Sequence, residues 1–253
     1  MYIVKWKGKA FGERLLTSLL VYILNDNCID AVLGHPYYPY NCICDCPIYK
    51  EGTLKEWWWI RLTSNKKRFE FDSIISYMVH LFEHRVDKTG ISIDTSINHI
   101  PVVYYDIPYI KGYDVSICSQ SGKWTEYRDW PYFDELKELF RKYKISFFDV
   151  SENYIRNVEL LNYVNKSKLY LGLETGTSHY VSQVANGKAL IIQSGYTDFD
   201  FWAGMYDYDH IDYLVDCSPC YINTIDKKEC ENNHTCMKNI SAEQVFERVL
   251  GML

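Results

Sequence analysis

No run of Lys or Arg in this sequence is longer than Lys66-Lys67-Arg68, and the chain carries a formal net charge of −6. That argues against nucleic acid as a partner, because affinity for it comes from clustered cations that neutralise phosphates. The short basic patch reads as a solvated turn. No stretch approaches the ~18 apolar residues that a membrane-spanning helix needs. The opening Met1-Tyr2-Ile3-Val4-Lys5-Trp6 has no charged leader with a long apolar core behind it, so no signal peptide is expected and the chain is read as cytoplasmic. Nine cysteines in such a chain are expected to be reduced. Their clustering points to metal or plain thiols rather than to a disulfide framework. Internal repeats and low-complexity tracts are missing as well.

The sequence that is present has a strong alternating pattern. Its 253 residues lean toward two domains of modest size. A chain of this length buries roughly three quarters of its unfolded surface and needs no staples. The 23 tyrosines carry no functional reading. A strand is expected over 2–6, followed by a helix whose Leu15, Leu16, Leu19, Leu20, Ile23 and Leu24 form one apolar stripe. A second strand is expected over 29–33. Between His35 and Arg68 the pattern dissolves into Pro, Tyr, Cys and the run Trp57 to Trp59. A helix over 70–84 and a strand over 101–105 follow, and 106–112 is the candidate linker. Beyond it, strands are expected over 115–118, 145–150, 168–173 and 189–193. Helices are expected over 132–143, 153–164 and 178–185, the last closed by Asn186-Gly187. Strands and helices alternating at these lengths imply right-handed βαβ units and a parallel sheet. A final helix over 242–250 starts at Ser241, with Gln244 three residues on. The expected boundaries are 1–110 and 111–253.

The turn Glu174-Thr175-Gly176-Thr177-Ser178-His179 stands where a strand opens into a helix through Gly and hydroxyl residues. Backbone N–H groups left over at such a helix start, together with the helix dipole, suit a diphosphate. The position also fits the rule that α/β sheets bind ligands at the carboxyl ends of their strands. Many βα turns look like this and bind nothing.

Five features in order along the chain resemble glycosyltransferase family nine, the heptosyltransferase group of lipopolysaccharide synthesis. The turn Glu174 to His179 resembles its Asp-Thr-Gly-x-x-His signature. The start, with Gly12-Glu13 followed by Leu15-Leu16-Thr17-Ser18-Leu19-Leu20, resembles its strand, Gly-Asp turn and first helix. Arg128-Asp129-Trp130-Pro131 resembles its basic-x-Trp-Pro motif. Cys217-Ser218-Pro219-Cys220, then Cys230 and Cys236-Met237, resemble the cysteine-bearing tail of many members, and the closing helix over 240–249 resembles theirs. The resemblance implies a GT-B-like α/β fold: two Rossmann-like domains facing a cleft, the N-terminal one reduced and on the acceptor side, the C-terminal one binding the nucleotide sugar. The segment 35–68 does not resemble the family, so acceptor choice is left open.

Roles come with the resemblance. It implies an inverting, metal-independent transfer from a nucleotide diphosphate sugar, ADP-heptose-like, to a saccharide or protein hydroxyl, with peripheral membrane contact and no cofactor for catalysis. Glu13 occupies the place of the general base, one methylene longer than the usual Asp; a carboxylate there can take the acceptor's proton. The other reading of Glu13 is a first-turn charge that favours the helix dipole. Arg128 matches the basic position set against the donor phosphates, where a guanidinium neutralises the leaving group. Glu174, Thr175, Gly176, Thr177 and His179 would make the remaining donor contacts. Glu152 stands near the place of a ribose-binding acid, and Trp130-Pro131 reads as structural. The tail spacing C-x2-C-x9-C-x5-C lets Cys217, Cys220, Cys230 and Cys236 close tetrahedrally around zinc or iron, as a branch of the family does with iron. The alternative is a cluster of half-buried thiols. Cys42, Cys44 and Cys46 have no precedent and read as thiols. Two other functions compete: a nucleotide-sugar binding protein without catalysis, suggested by Glu at both Asp positions, and a metal-binding interaction module.

Overall fold

The computed structural model describes residues 2–6, 20, 24, 31–33, 58–62, 79–80, 112–121, 126–153, 160, 163–164, 166–178, 181, 188–197, 209–220 and 230–253. The chain divides into two compact units. One is Met1–Val103 with Asp200–Tyr206, and the other is Tyr104–Phe199 with Asp207–Leu253.

In the first unit, β1 (Tyr2–Trp6), β2 (Ala31–Leu33) and β3 (Trp58–Leu62) form a parallel sheet in the order β2-β1-β3. Tyr2 stands level with Ala31 on one side and Trp58 on the other. Leu20 and Leu24, one helical turn apart in the expected stripe, are helical and fully buried. Val79 and His80 are helical within the helix expected over 70–84. β3 corrects the reading of 35–68 as patternless. Its sequence Trp-Trp-Ile-Arg-Leu does not alternate, but strands of parallel sheets often read as continuous apolar runs, and aromatic and β-branched residues favour them. The strand expected over 101–105 and Cys42, Cys44 and Cys46 lie outside the described residues.

The second unit is built on a five-stranded, wholly parallel sheet. Its strands are β4 (Val115–Cys118), β5 (Phe147–Asp149), β6 (Leu169–Leu173), β7 (Lys188–Gln193) and β8 (Asp209–Asp212), in the order β5-β4-β6-β7-β8. Every residue of β4 and β6 is buried, as parallel strands covered on both faces must be. β8 was not expected: its Asp-His-Ile-Asp sequence looks like a loop. A strand at the sheet edge tolerates charge because its outer side meets water.

Among the helices beside this sheet are α1 (Phe133–Lys142), α2 (Thr235–Lys238) and α3 (Ala242–Met252). α1 buries Phe133, Leu136 and Phe140, and α3 buries Val245, Phe246 and Val249, all in one core with Val115, Ile117, Leu169, Leu171 and Leu190. Phe140 and Phe246 bring the two helices together, their ring centroids 6.0 Å apart. Trp130 meets Phe133 edge-on at 4.9 Å and donates its indole N–H to the Ile240 carbonyl at 2.8 Å. It thereby ties the start of α1 to the start of α3. The capping box of α3 is formed: Ser241 Oγ accepts from the Gln244 amide, and the Gln244 side chain accepts from the Ser241 amide. α1 ends through Lys144 in the left-handed conformation, with the Ile145 amide bonded back to Phe140 O. Ahead of β4, Asp114 accepts from the Ser146 amide and hydroxyl and pairs with Lys168 Nζ at 2.8 Å. It staples the starts of three neighbouring strands. Among the described residues no helix is long and apolar enough to cross a membrane.

Candidate functional site

Strand order determines where a ligand can enter the second unit. Counting within the unit, the order is second, first, third, fourth, fifth, the doubly wound arrangement whose direction reverses between the first and third strands. Those strands are β4 and β6. Open α/β sheets bind ligands at such a switch point, in the crevice outside the carboxyl ends of the strands. The loop after β4 carries Arg128, and the turn after β6 is Glu174 to Ser178.

Those two segments meet. Arg128 Nη1 donates to the Glu174 carbonyl at 2.7 Å and lies 3.3 Å from Glu174 Oε2, and both side chains are buried. A buried ion pair is costly unless further hydrogen bonds complete it. Here the carboxylate also accepts from the Thr197 hydroxyl at 3.3 Å. Beyond Glu174, residues 176–178 are helical. Thr175 Oγ1 accepts from the Ser178 amide at 3.4 Å, the bond of an N-capping residue to the third helical N–H. Glu174, Thr175 and Ser178 are buried, while Gly176 and Thr177 are half-buried and face outward more. The Ser178 hydroxyl donates to the Leu173 carbonyl and lies 3.2 Å from the Tyr170 hydroxyl. Gly172 makes room for that tyrosine: a Cβ there would sit 2.5 Å from Tyr170 Oη.

Beneath the turn lies Cys118 at the end of β4, with its thiol pushed up by burial. Ser151 Oγ is 3.4 Å from its sulfur. To one side, Lys137 of α1 reaches Asp149 at 2.8 Å and Glu152 at 2.6 Å. Burial alone would depress the Lys137 ammonium, but its hydrogen bonds to these two carboxylates outweigh that and raise it above the usual lysine range. Glu152 is therefore fixed by a buried lysine that the sequence reading did not single out. The signal was available: Lys137 falls within the buried stripe Phe133, Leu136, Lys137, Phe140, where a charge requires a partner.

The cysteine tail approaches the same crevice from the side of β7. Cys220 and Cys236 are buried and Cys217 and Cys230 half-buried, all four as reduced thiols. The Cys220 amide donates to Gly195 O at 3.0 Å. The His234 amide donates to Cys230 Sγ at 3.3 Å. Burial pushes the Cys236 thiol up, and the sulfurs of Cys230 and Cys217 add to the shift, so both lie within electrostatic reach of Cys236. Soft sulfur donors gathered in this way suit zinc or iron. Among the described residues, though, no group of three His, Cys, Asp or Glu side chains is arranged to hold a metal ion. Tyr127, next to Arg128, packs on His234 of this tail at 5.6 Å and on Tyr196 at 5.3 Å.

No protein-family model matches the chain, and no curated protein matches it. Solved structures do. Over 99% of this chain and 75% of theirs, it superposes on the iron-containing dodecameric glycosyltransferase TibC of enterotoxigenic E. coli with a TM-score of 0.70 and 10% identity. A family nine glycosyl transferase from Veillonella parvula gives 0.53 at 11% identity, covering 99% of this chain and 96% of that one. E. coli heptosyltransferase WaaC with an ADP-fluoroheptose gives 0.50 at 11% identity, covering 99% of each. The fold is that of the family nine glycosyltransferases.

Within this GT-B type of α/β fold, Arg128, Glu174, Thr175, Gly176 and Thr177 come together at one crevice. Glu13 and His179 lie outside the described residues. Sequence reading missed Thr197 and Lys137, whose partners stand far away in the chain. Trp130 is buried and structural, in keeping with its reading.

Proposed function

We propose that the chain is an inverting glycosyltransferase whose donor is a nucleotide diphosphate sugar of the ADP-heptose kind. The observation that carries this reading is the buried Arg128–Glu174 pair joining the two connections of the switch point, beside an N-capped helical turn. The donor diphosphate lies against that turn and Arg128. The acceptor hydroxyl attacks the anomeric carbon from the opposite face, the bond from that carbon to the diphosphate oxygen breaks, and configuration inverts. Glu13 takes the hydroxyl proton. The negative charge that builds on the leaving diphosphate is met by Arg128 and backbone N–H groups, so the transfer step requires no metal. Glu152, held by Lys137, lies near the ribose. The acceptor is a glycan, lipopolysaccharide or protein hydroxyl, reached in the cytoplasm by peripheral contact with a membrane where it is lipid-linked. Cys217, Cys220, Cys230 and Cys236 would hold one structural zinc or iron outside the reaction, four soft sulfur donors suiting such an ion.

Arg128→Ala tests the donor site. Losing a charged hydrogen bond should weaken ADP or UDP binding by about 1.5–3 kcal/mol in calorimetry. Unchanged affinity would remove Arg128 from the site. A second reading, a nucleotide-sugar binder without transfer, draws on Glu174, whose carboxylate is engaged by Arg128 and Thr197. Donor hydrolysis and transfer assays that stay blank while ADP-sugar binds would favour it.

A further inference from the structure

Glu174 is held by a directed chain of side chains that begins on β7. Gln193, at the end of that strand, is buried, and its Nε2 faces the carbonyls of Ser194 at 3.3 Å and Thr197 at 3.4 Å. Two carbonyl oxygens can only accept, so the amide nitrogen, not the amide oxygen, must occupy that place. The same Nε2 lies 3.3 Å from Thr197 Oγ1. With two protons for three acceptors the amide shares one of them, and the hydroxyl accepts from it, which leaves the hydroxyl's own proton to be given away. Among the described residues the hydroxyl gives that proton to Glu174 Oε2, at 3.3 Å. That oxygen is also the one paired with Arg128 Nη1. The chain thus runs one way, from Gln193 through Thr197 and Glu174 to Arg128.

We propose that Thr197 is a positioning residue of the donor site, fixing the Glu174 carboxylate and through it the guanidinium of Arg128. This rests on the reading of Arg128 as the diphosphate contact. Thr197 need not touch the donor. Its hydroxyl locks one carboxylate oxygen so that the carboxylate cannot rotate, and the Arg128 fork stays where a β-phosphate is to be met. In a buried chain of this kind each bond polarises and directs the next, which favours a single geometry, although among the described residues Gln193 Oε1 meets no hydrogen-bond partner.

The test compares Thr197→Val with Thr197→Ser by calorimetry, using ADP and AMP as probes, with Arg128→Ala alongside. The Val variant keeps the branched shape but loses the hydroxyl. It should bind ADP about tenfold more weakly, the loss of one hydrogen bond to a charged group, while AMP affinity stays as in the wild type. The Ser variant should recover ADP affinity to within about twofold, since it restores that bond. A merely structural threonine would not alter the ratio of ADP to AMP affinity, so equal weakening of both nucleotides overturns the proposal. Wild-type ADP affinity in the Val variant also overturns it, and if Arg128→Ala still loses ADP, the donor reading survives. A wild-type chain that binds neither ADP nor UDP sinks the donor reading and the positioning role with it.

Discussion

Arg128 and Glu174 are two charges taken out of water, and each is tolerable only because the other is there. The turn residues beside them could be read in the sequence, since Gly and hydroxyl residues after an apolar strand act locally: Thr175 caps the residues that follow it. Partners brought together over a long stretch of chain could not be read. Nothing near Thr197 says that it will meet Glu174, and nothing near Lys137 names Asp149, because the sheet order that joins them is a property of the whole unit. Glu13 belongs to the residues whose role rests on resemblance. If it is the base, Glu13→Gln should leave ADP affinity and melting temperature unchanged while sugar transfer falls about 100-fold or more. Full transfer by the Gln variant would reduce Glu13 to a helix-turn charge.

At the scale of elements, β4, β5, β6 and β7 were legible because each is a short, largely apolar run. β4 runs over the expected residues, and β6 and β7 begin within one residue of expectation. β3 and β8 were missed for opposite reasons, one too uniformly apolar to show a period and the other too polar to look like a strand. The start of β4 also carries a pH signature. The hydrogen bond from Lys168 first, and those from Ser146 next, hold the Asp114 carboxyl at about 2. A carboxylate whose pKa is lower folded than unfolded adds stability above the unfolded value and loses it as pH falls through the folded one. The wild type should melt above Asp114→Asn at pH 6, and the gap should close as pH falls from about 4 to 2. Lys168 is more than half exposed, so salt should narrow the gap as well. A gap that stays constant down to pH 2 would show that the staple is not electrostatic.

For the molecule as a whole, the fold was legible and the cysteine tail only partly so. Spacing brings four thiols into one stretch of sequence. It does not say that the stretch packs beside Arg128 and the end of β7, which follows from Tyr127 lying on His234 and from Cys220 bonding to Gly195. Elemental analysis of purified protein should find about one zinc or iron per chain, lost in Cys217→Ser together with a fall in melting temperature. Stripping the metal with no change in melting temperature would leave the tail as plain thiols.

Gly195 sits between Ser194 and Tyr196 with no room for a side chain. A Cβ there would run into Ser218 Oγ, which already accepts from the Val215 amide, and would touch Cys236. Two residues upstream stands Gln193, and two downstream Thr197. One short strip of backbone is thus a common wall, with the cysteine tail on one side and the support of Glu174 on the other. Walls shared in this way tie the histories of the two rooms together. A lineage that exchanges the cysteine tail for another loop must also rework the strip, and with it the lodging of Glu174, whereas one that keeps the four cysteines is held to a glycine at position 195.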